Sequence, residues 1–186
     1  MSVQFQKWHF NVEDFYRMAE AGLFSGYDRV ELIEGEVIKM SPKRCRHAGC
    51  VDRLNSILNR KLGHAAIIRV QNPVRLNDFS EPEPDVALLK PRDDFYSQSH
   101  PTASDVLLVI EVAETSVEYD RSLKMPLYAQ SGIPEAWLVN LSKDLIELYT
   151  QPKNGKYQKV QRLKRGKSLA SPTLTELSLS VEDILG

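Results

Sequence analysis

Two acidic residues stand where apolar runs begin or end. Glu81-Pro82-Glu83-Pro84-Asp85 leads directly into Val86-Ala87-Leu88-Leu89, and twenty-six residues after Asp85, Glu111 ends the run Val106-Leu107-Leu108-Val109-Ile110. If these runs are neighbouring strands, both carboxylates come to one end of a sheet. Paired carboxylates there are the hard oxygen donors a Mg²⁺ or Mn²⁺ ion takes, at about 2.1 Å for Mg²⁺, with its other positions left to water and phosphate. The chemistry such a centre supports is phosphoester hydrolysis. The same spacing also describes two carboxylates that merely cap strand ends at the surface, and spacing alone does not choose.

A second group, Cys45, His47, Cys50 and His64, invites a zinc reading. Its C-x-H-x-x-C order matches no closed zinc site, and His64 lies about 25 Å from His47 along a helix rising 1.5 Å per residue. Zinc is therefore not expected. The two cysteines read as free thiols in a reducing compartment. His47, at a helix start, is placed to touch a substrate phosphate. The ordinary reading, a surface or half-buried histidine, carries more weight than the phosphate contact.

Net charge is −1, so bulk electrostatics does not select nucleic acid. The distribution is more informative. Lys43 to Arg75 carries eight basic residues against Asp52 alone, and Lys153 to Lys167 carries seven with no acid. Between them, Asp78 to Asp120 holds eleven acids against Lys90 and Arg92. An acidic middle between basic segments suits a metal site beside a phosphate-binding surface, although single charges usually do no more than keep a surface solvated.

The elements that must position these groups follow from local rules. Asn11 can cap a helix with Glu13 and Asp14 in its first turn; Phe15, Met18 and Ala19 form one face and Gly22 is the stop. Val30–Ile33 and Val37–Met40 flank Glu34-Gly35-Glu36 as a hairpin. Val51, Leu54, Ile57, Leu58 and Leu62 recur at helical spacing up to Gly63, with Arg53 and Arg60 outside, predicting a helix packed on a sheet. Ala66–Val70, Asp85–Leu89 and Val106–Val112 read as strands, the last β-branched and continuous enough to be buried on both faces. Ser116 can cap a helix to about Gln130, with Gly132 beyond it and Pro126 predicting a kink or late start. Glu135–Val139, Leu145–Thr150 and Tyr157–Leu163 are further strands, the last two joined at Asn154-Gly155. The order gives an α/β domain around a mixed sheet.

At 186 residues and 42% hydrophobic, the chain has material for one core, and the expectation is a single domain over 1–186. No apolar run exceeds Val106–Ile110, far short of the roughly 20 residues of a membrane span. Met1 to Trp8 shows no leader pattern, so the expectation is a cytoplasmic protein with no membrane partner.

Asp85 in Pro-Asp-Val, Val109-Ile110-Glu111-Val112, Asp120-Arg121, Lys124, Tyr128-Ala129, Gly132-Ile133-Pro134-Glu135 and Trp137-Leu138-Val139 resemble the Uma-two family of putative restriction endonucleases. So do Val30 to Glu36, Met40-Ser41-Pro42 and His47. The resemblance spans roughly Val12 to Thr150. It implies the PD-(D/E)XK nuclease fold, a restriction-endonuclease-like mixed β-sheet flanked by helices. The superfamily's lysine, two positions after the glutamate, is Ala113 here; the resemblance implies that Lys124, on the following helix, takes its place. A second departure is Ala113-Glu114-Thr115-Ser116, where many relatives have a serine- and proline-rich turn.

The implied roles are Asp85 and Glu111 as Mg²⁺ ligands with the Val112 carbonyl beside them, Lys124 at the attacking water and the phosphoryl oxygens, and Glu31 holding water at the cation. The implied activity is Mg²⁺-dependent hydrolysis of DNA phosphodiesters. Two other readings stand beside it: a non-catalytic nucleic-acid-binding or dimerisation module, and a metal-dependent hydrolase of a small phosphoester. Trp137 and the C-terminal strands, read as exposed apolar surface, point to a homodimer.

Overall fold

The computed structural model describes residues 7–24 and 29–186; the leader reading over Met1–Gln6 lies outside the described residues. Asn11 caps α1 (Val12–Glu20) through a reciprocal box with Asp14, and Gly22 follows at φ +74°. The first hairpin pairs β1 (Val30–Ile33) with β2 (Glu36–Lys39) in the register Ile33 to Glu36. Its turn is two residues, Glu34 and Gly35, both left-handed at φ +50° and +80°, the geometry that matches strand twist. The long amphipathic helix is α2 (Cys45–Leu62), closed by Gly63 at φ +50°.

The main sheet has six strands in sequence order: β3 (Ile67–Val70), β4 (Val86–Leu89), β5 (Val106–Ala113), β6 (Glu135–Asn140), β7 (Leu145–Lys153) and β8 (Lys156–Lys164). All neighbours are antiparallel except β5 and β6. A parallel pair needs a crossover, supplied by α3 (Val117–Tyr119), a π-helical turn (Asp120–Lys124) and α4 (Met125–Gln130). The kink or late start expected at Pro126 takes the form of that π turn. A proline at this position has no N–H to give and its ring would collide with the Ser122 carbonyl in a regular helix. In the wider turn the Met125 N–H reaches back five residues to Asp120. The chain ends in the small hairpin β9 (Ser168–Ala170) and β10 (Ser178–Ser180), then α5 (Val181–Leu185).

Strand alternation splits the core in two. Val86, Leu88, Leu108, Ile110 and Val112 face α2 and α5, where Val51, Leu54, Leu58 and Ile184 meet them. Ala87, Leu89, Val109 and Ala113 face the crossover, against Val117, Met125 and Tyr128. Two expectations are corrected. Arg53, expected outside, turns onto the C-terminus and donates to the Ile184 and Leu185 carbonyls. Trp137, expected as exposed apolar surface, is fully buried, its indole N–H on Glu135 at 2.7 Å, so it offers a homodimer no surface. Among the described residues no helix is long and apolar enough to cross a membrane.

Gly35 is the hairpin's weak point. A Cβ there would lie 2.6 Å from the His9 Cβ, whereas one at Gly22, also left-handed, would meet nothing within 4 Å. Gly35→Ala should cost at least about 1 kcal/mol, lowering the melting temperature by about 2–4 °C or more, with Gly22→Ala milder. Equal melting of the two variants would show that His9 exerts no constraint.

Candidate active site

The antiparallel register pairs Val86 with Ile110, so one step further Asp85 comes opposite Glu111. By alternation with Ala87 and Val109, both carboxylates belong to the crossover side of the sheet. Asp85 accepts three hydrogen bonds: the Val112 N–H at 2.9 Å, Gln71 Nε2 at 3.0 Å and His47 Nε2 at 3.0 Å. Burial works against its charge, but these donors outweigh it and hold the carboxyl below its ordinary value.

Glu111 is met from the crossover. Lys124 Nζ lies 3.3 Å from its Oε1, and the hydroxyl of Tyr128, one helical turn on, donates to the same oxygen at 2.5 Å. Lys124 also reaches Glu31 Oε2 at 2.9 Å. Glu31 is fixed in turn by the Glu83 N–H at 3.1 Å and stands 3.5 Å from the Tyr119 hydroxyl. The structure therefore brings together all five residues singled out by sequence. Glu31, Asp85, Glu111, Lys124 and His47 line one cavity of about 370 Å³. His47 makes its contact through Nε2 to Asp85, and its Nδ1 is buried without a partner.

Four carboxylates there are almost wholly buried, those of Glu31, Asp85, Glu111 and Asp120, against one buried ammonium, Lys124. The imbalance shows in their protonation. Burial, followed by the nearby charges of Asp120, Asp85 and Glu31, pushes Glu111 up to about 8 in spite of Lys124. Burial likewise lifts Asp120 to about 6 against the pull of Lys124 and Ser116. For Lys124 burial opposes the charge, yet Glu111, Glu31 and Asp120 prevail and its pKa is raised.

A divalent cation fits this donor set. It would offset the excess negative charge, and the buried Oε2 of Glu114, another cavity-lining carboxylate, has no hydrogen-bond partner. Among the described residues no three His, Cys, Asp or Glu side chains converge as a ready-made metal cage. Mg²⁺, which commonly takes one or two carboxylates and keeps its waters, asks for no such cage.

Sequence reasoning assigned no role to Tyr128, Gln71 or Asp120. The first was findable, lying one turn beyond Lys124. Gln71 follows the end of β3 and carried no signal. Asp120 generates a prediction with a definite sign. Its folded pKa, about 6, lies above the ordinary carboxyl value of 3.8, so the folded state holds a proton that the unfolded chain gives up. The stability this contributes is complete below about pH 4 and is lost as pH rises through 6. Asp120→Asn should therefore melt higher than the parent at pH 7–8, by an amount on the order of 1–3 kcal/mol, with the gap closing near pH 4. A gap independent of pH would refute the assignment.

The chain matches the family model Uma2, described as "Putative restriction endonuclease", over residues 12–182, which extends past Thr150 to include β8, the small hairpin and the start of α5. No curated protein matches it. Among solved structures, one from Anabaena variabilis, described as a putative nuclease belonging to DUF820, superposes with a TM-score of 0.74 at 16% identity, over 95% of this chain and 97% of its own. That likeness is one of fold. The type IIG restriction endonuclease BpuSI aligns over 60% of this chain and 12% of its own, at 19% identity and a TM-score of 0.39, too slight to carry an argument. On the extent of the family match, the chain belongs to the Uma2 family of putative restriction endonucleases.

Proposed function

We propose that this protein is a Mg²⁺-dependent nuclease that hydrolyses DNA phosphodiester bonds by direct attack of water, with Mn²⁺ able to replace Mg²⁺. The carrying observation is that Asp85, immediately before β4, and Glu111 on the neighbouring β5 share a cavity with a lysine held 3.3 Å from Glu111. Asp85 and Glu111 would hold the cation, whose chemistry is to draw charge from phosphoryl oxygens. Lys124, paired with Glu31 and Glu111, serves as a donor that orients water and meets charge developing on the phosphate. Glu31 aims Lys124, Tyr128 aims Glu111, and His47 with Gln71 and the Val112 N–H aims Asp85. Through this contact His47 positions a ligand before it touches any phosphate.

DNA is favoured by the charges around the mouth. Lys43 and Arg44 line the cavity at the start of α2, whose N-cap is Arg44, with no acid in its first turn. Cations at the positive end of a helix repel its dipole and suit an anionic partner. Among the described residues neither is in a salt bridge, in contrast to Arg46 on Asp144. The expected groove along both basic segments is narrowed to those residues at this end of the sheet. Cys45 and Cys50 are free, as suits the cytoplasm.

Lys124→Ala should lower metal-dependent cleavage of DNA by about 10²-fold or more per folded molecule, with Mg²⁺ still bound because the ligands are carboxylates, and should also lower the melting temperature because Glu31 and Glu111 lose their buried partner. Arg121→Ala is the contrast. Its guanidinium pairs with buried Glu147 through two hydrogen bonds and with Glu118, so its loss should lower the melting temperature and spare the chemistry of the folded molecules. Binding should also weaken steeply with salt. Full activity in Lys124→Ala would remove that residue from the centre, and a flat salt response would count against a DNA substrate.

A further inference from the structure

The groups assigned to chemistry lie below the surface. Glu31 is 2%, Asp85 7%, Glu111 3% and Lys124 3% exposed. They line the cavity of about 370 Å³, part of whose wall is the hairpin residue Lys39 and the segment 40–44 that follows it. That volume lies near the lower end of the roughly 300–1,000 Å³ typical of small-ligand pockets. Double-stranded DNA is stiff over about 50 nm, and its paired backbones do not fold into a space of this size. An unpaired strand is flexible enough to turn a single phosphate and its nucleotide into it.

The ligand is nonetheless longer than the pocket. The register from Ala113 through Asn140 and Leu145 to Lys164 puts the end of β8 at the same end of the sheet as the carboxylates. There Arg46 and Arg165 both lie on Asp144, at 2.5 and 3.8 Å. Two arginines sharing one carboxylate leave one net positive charge there, at the same end of the sheet as Lys43 and Arg44. Tyr119, half-buried, lines the cavity together with Lys43 and Arg44, so an aromatic ring and two cations share its wall, the residue types that single strands use for stacking and backbone contact.

We propose that the cavity takes an unpaired DNA strand, such as a flap, a frayed end or a single-stranded segment, in preference to continuous duplex. This rests on the nuclease reading and names its substrate class. The test uses one labelled 20-nucleotide sequence in three forms, single-stranded, blunt duplex and duplex with an unpaired flap, with bis(p-nitrophenyl) phosphate as a small diester. Binding is measured on the parent with Ca²⁺ in place of Mg²⁺, and cleavage on the parent in Mg²⁺. The single strand and the flap should bind and be cut about tenfold or more better than the duplex, with cuts confined to unpaired nucleotides. The exposed pair Lys43→Ala with Arg44→Ala, checked for unchanged melting, should weaken strand binding and reduce its salt dependence.

Strand-selective binding without cleavage would support the cavity's ligand and sink the nuclease reading. Duplex bound or cut as well as the single strand would overturn the proposal while the nuclease reading stood. A small diester cut as efficiently as the oligonucleotide would overturn it in favour of a small phosphoester. Failure to bind any of the DNAs would overturn both.

Discussion

One buried ammonium organises this end of the molecule. Lys124 is held between Glu31 at 2.9 Å and Glu111 at 3.3 Å, and a charge taken out of water at that depth is tolerated only if it is paired. Its two partners come from different elements. Glu31 belongs to a two-stranded hairpin, a unit marginal by itself, and Glu111 to a strand buried in the main sheet. The hairpin is further laced to the segment before β4, where the Glu81 N–H meets the Leu32 carbonyl at 2.8 Å and the Glu83 N–H meets Glu31. One ion triad thus fixes hairpin, sheet and crossover in a single arrangement, and the cavity is the space left among them.

The crossover decides where Lys124 points. Because β5 and β6 are parallel, the chain must return along the sheet between them, and the return begins over the end of β5 where Glu111 lies. The π turn sets the phase of this helix. From it Lys124 and, four residues on, Tyr128 converge on Glu111, while Arg121 turns the other way to Glu147 on β7. The turn is pinned from both sides. The concentration of acids within it is unfavourable in itself, as the raised pKa values of Glu111 and Asp120 show. Such a cluster is the usual form of exchange between stability and a charged site.

What the sequence disclosed follows the range of the forces involved. Both hairpin turns, Glu34-Gly35 and Asn154-Gly155, and the ends of α1 and α2 at Gly22 and Gly63 were legible because each depends on a few consecutive residues. Asp85 and Glu111 were legible as strand-end acids. Their meeting depends on register, which no single segment states. Lys124 was reached through family resemblance alone, since its approach to Glu111 is created by a crossover whose π turn has no pattern of its own beyond Pro126. Trp137 was misread because its apolar bulk was weighed without Glu135, two residues earlier, whose carboxylate takes the indole N–H and makes full burial possible.

Charge was the least transferable signal, because the sheet divides what the sequence joins. The basic run Lys153 to Lys167 mostly follows β8, and at about 3.3 Å per residue its two ends stand at opposite ends of the sheet, only the Lys164 and Arg165 end lying near the carboxylates. What folding assembles there is a graded field, with cations at the mouth and buried carboxylates on the floor. A polyanion feels the mouth from about a Debye length away, roughly 10 Å in ordinary salt. The floor repels the same phosphate at contact, unless positive charge beyond Lys124 is present. Attraction to the surface and entry to the site are therefore separate steps, and under the proposed function the second depends on the divalent cation that Asp85 and Glu111 would hold.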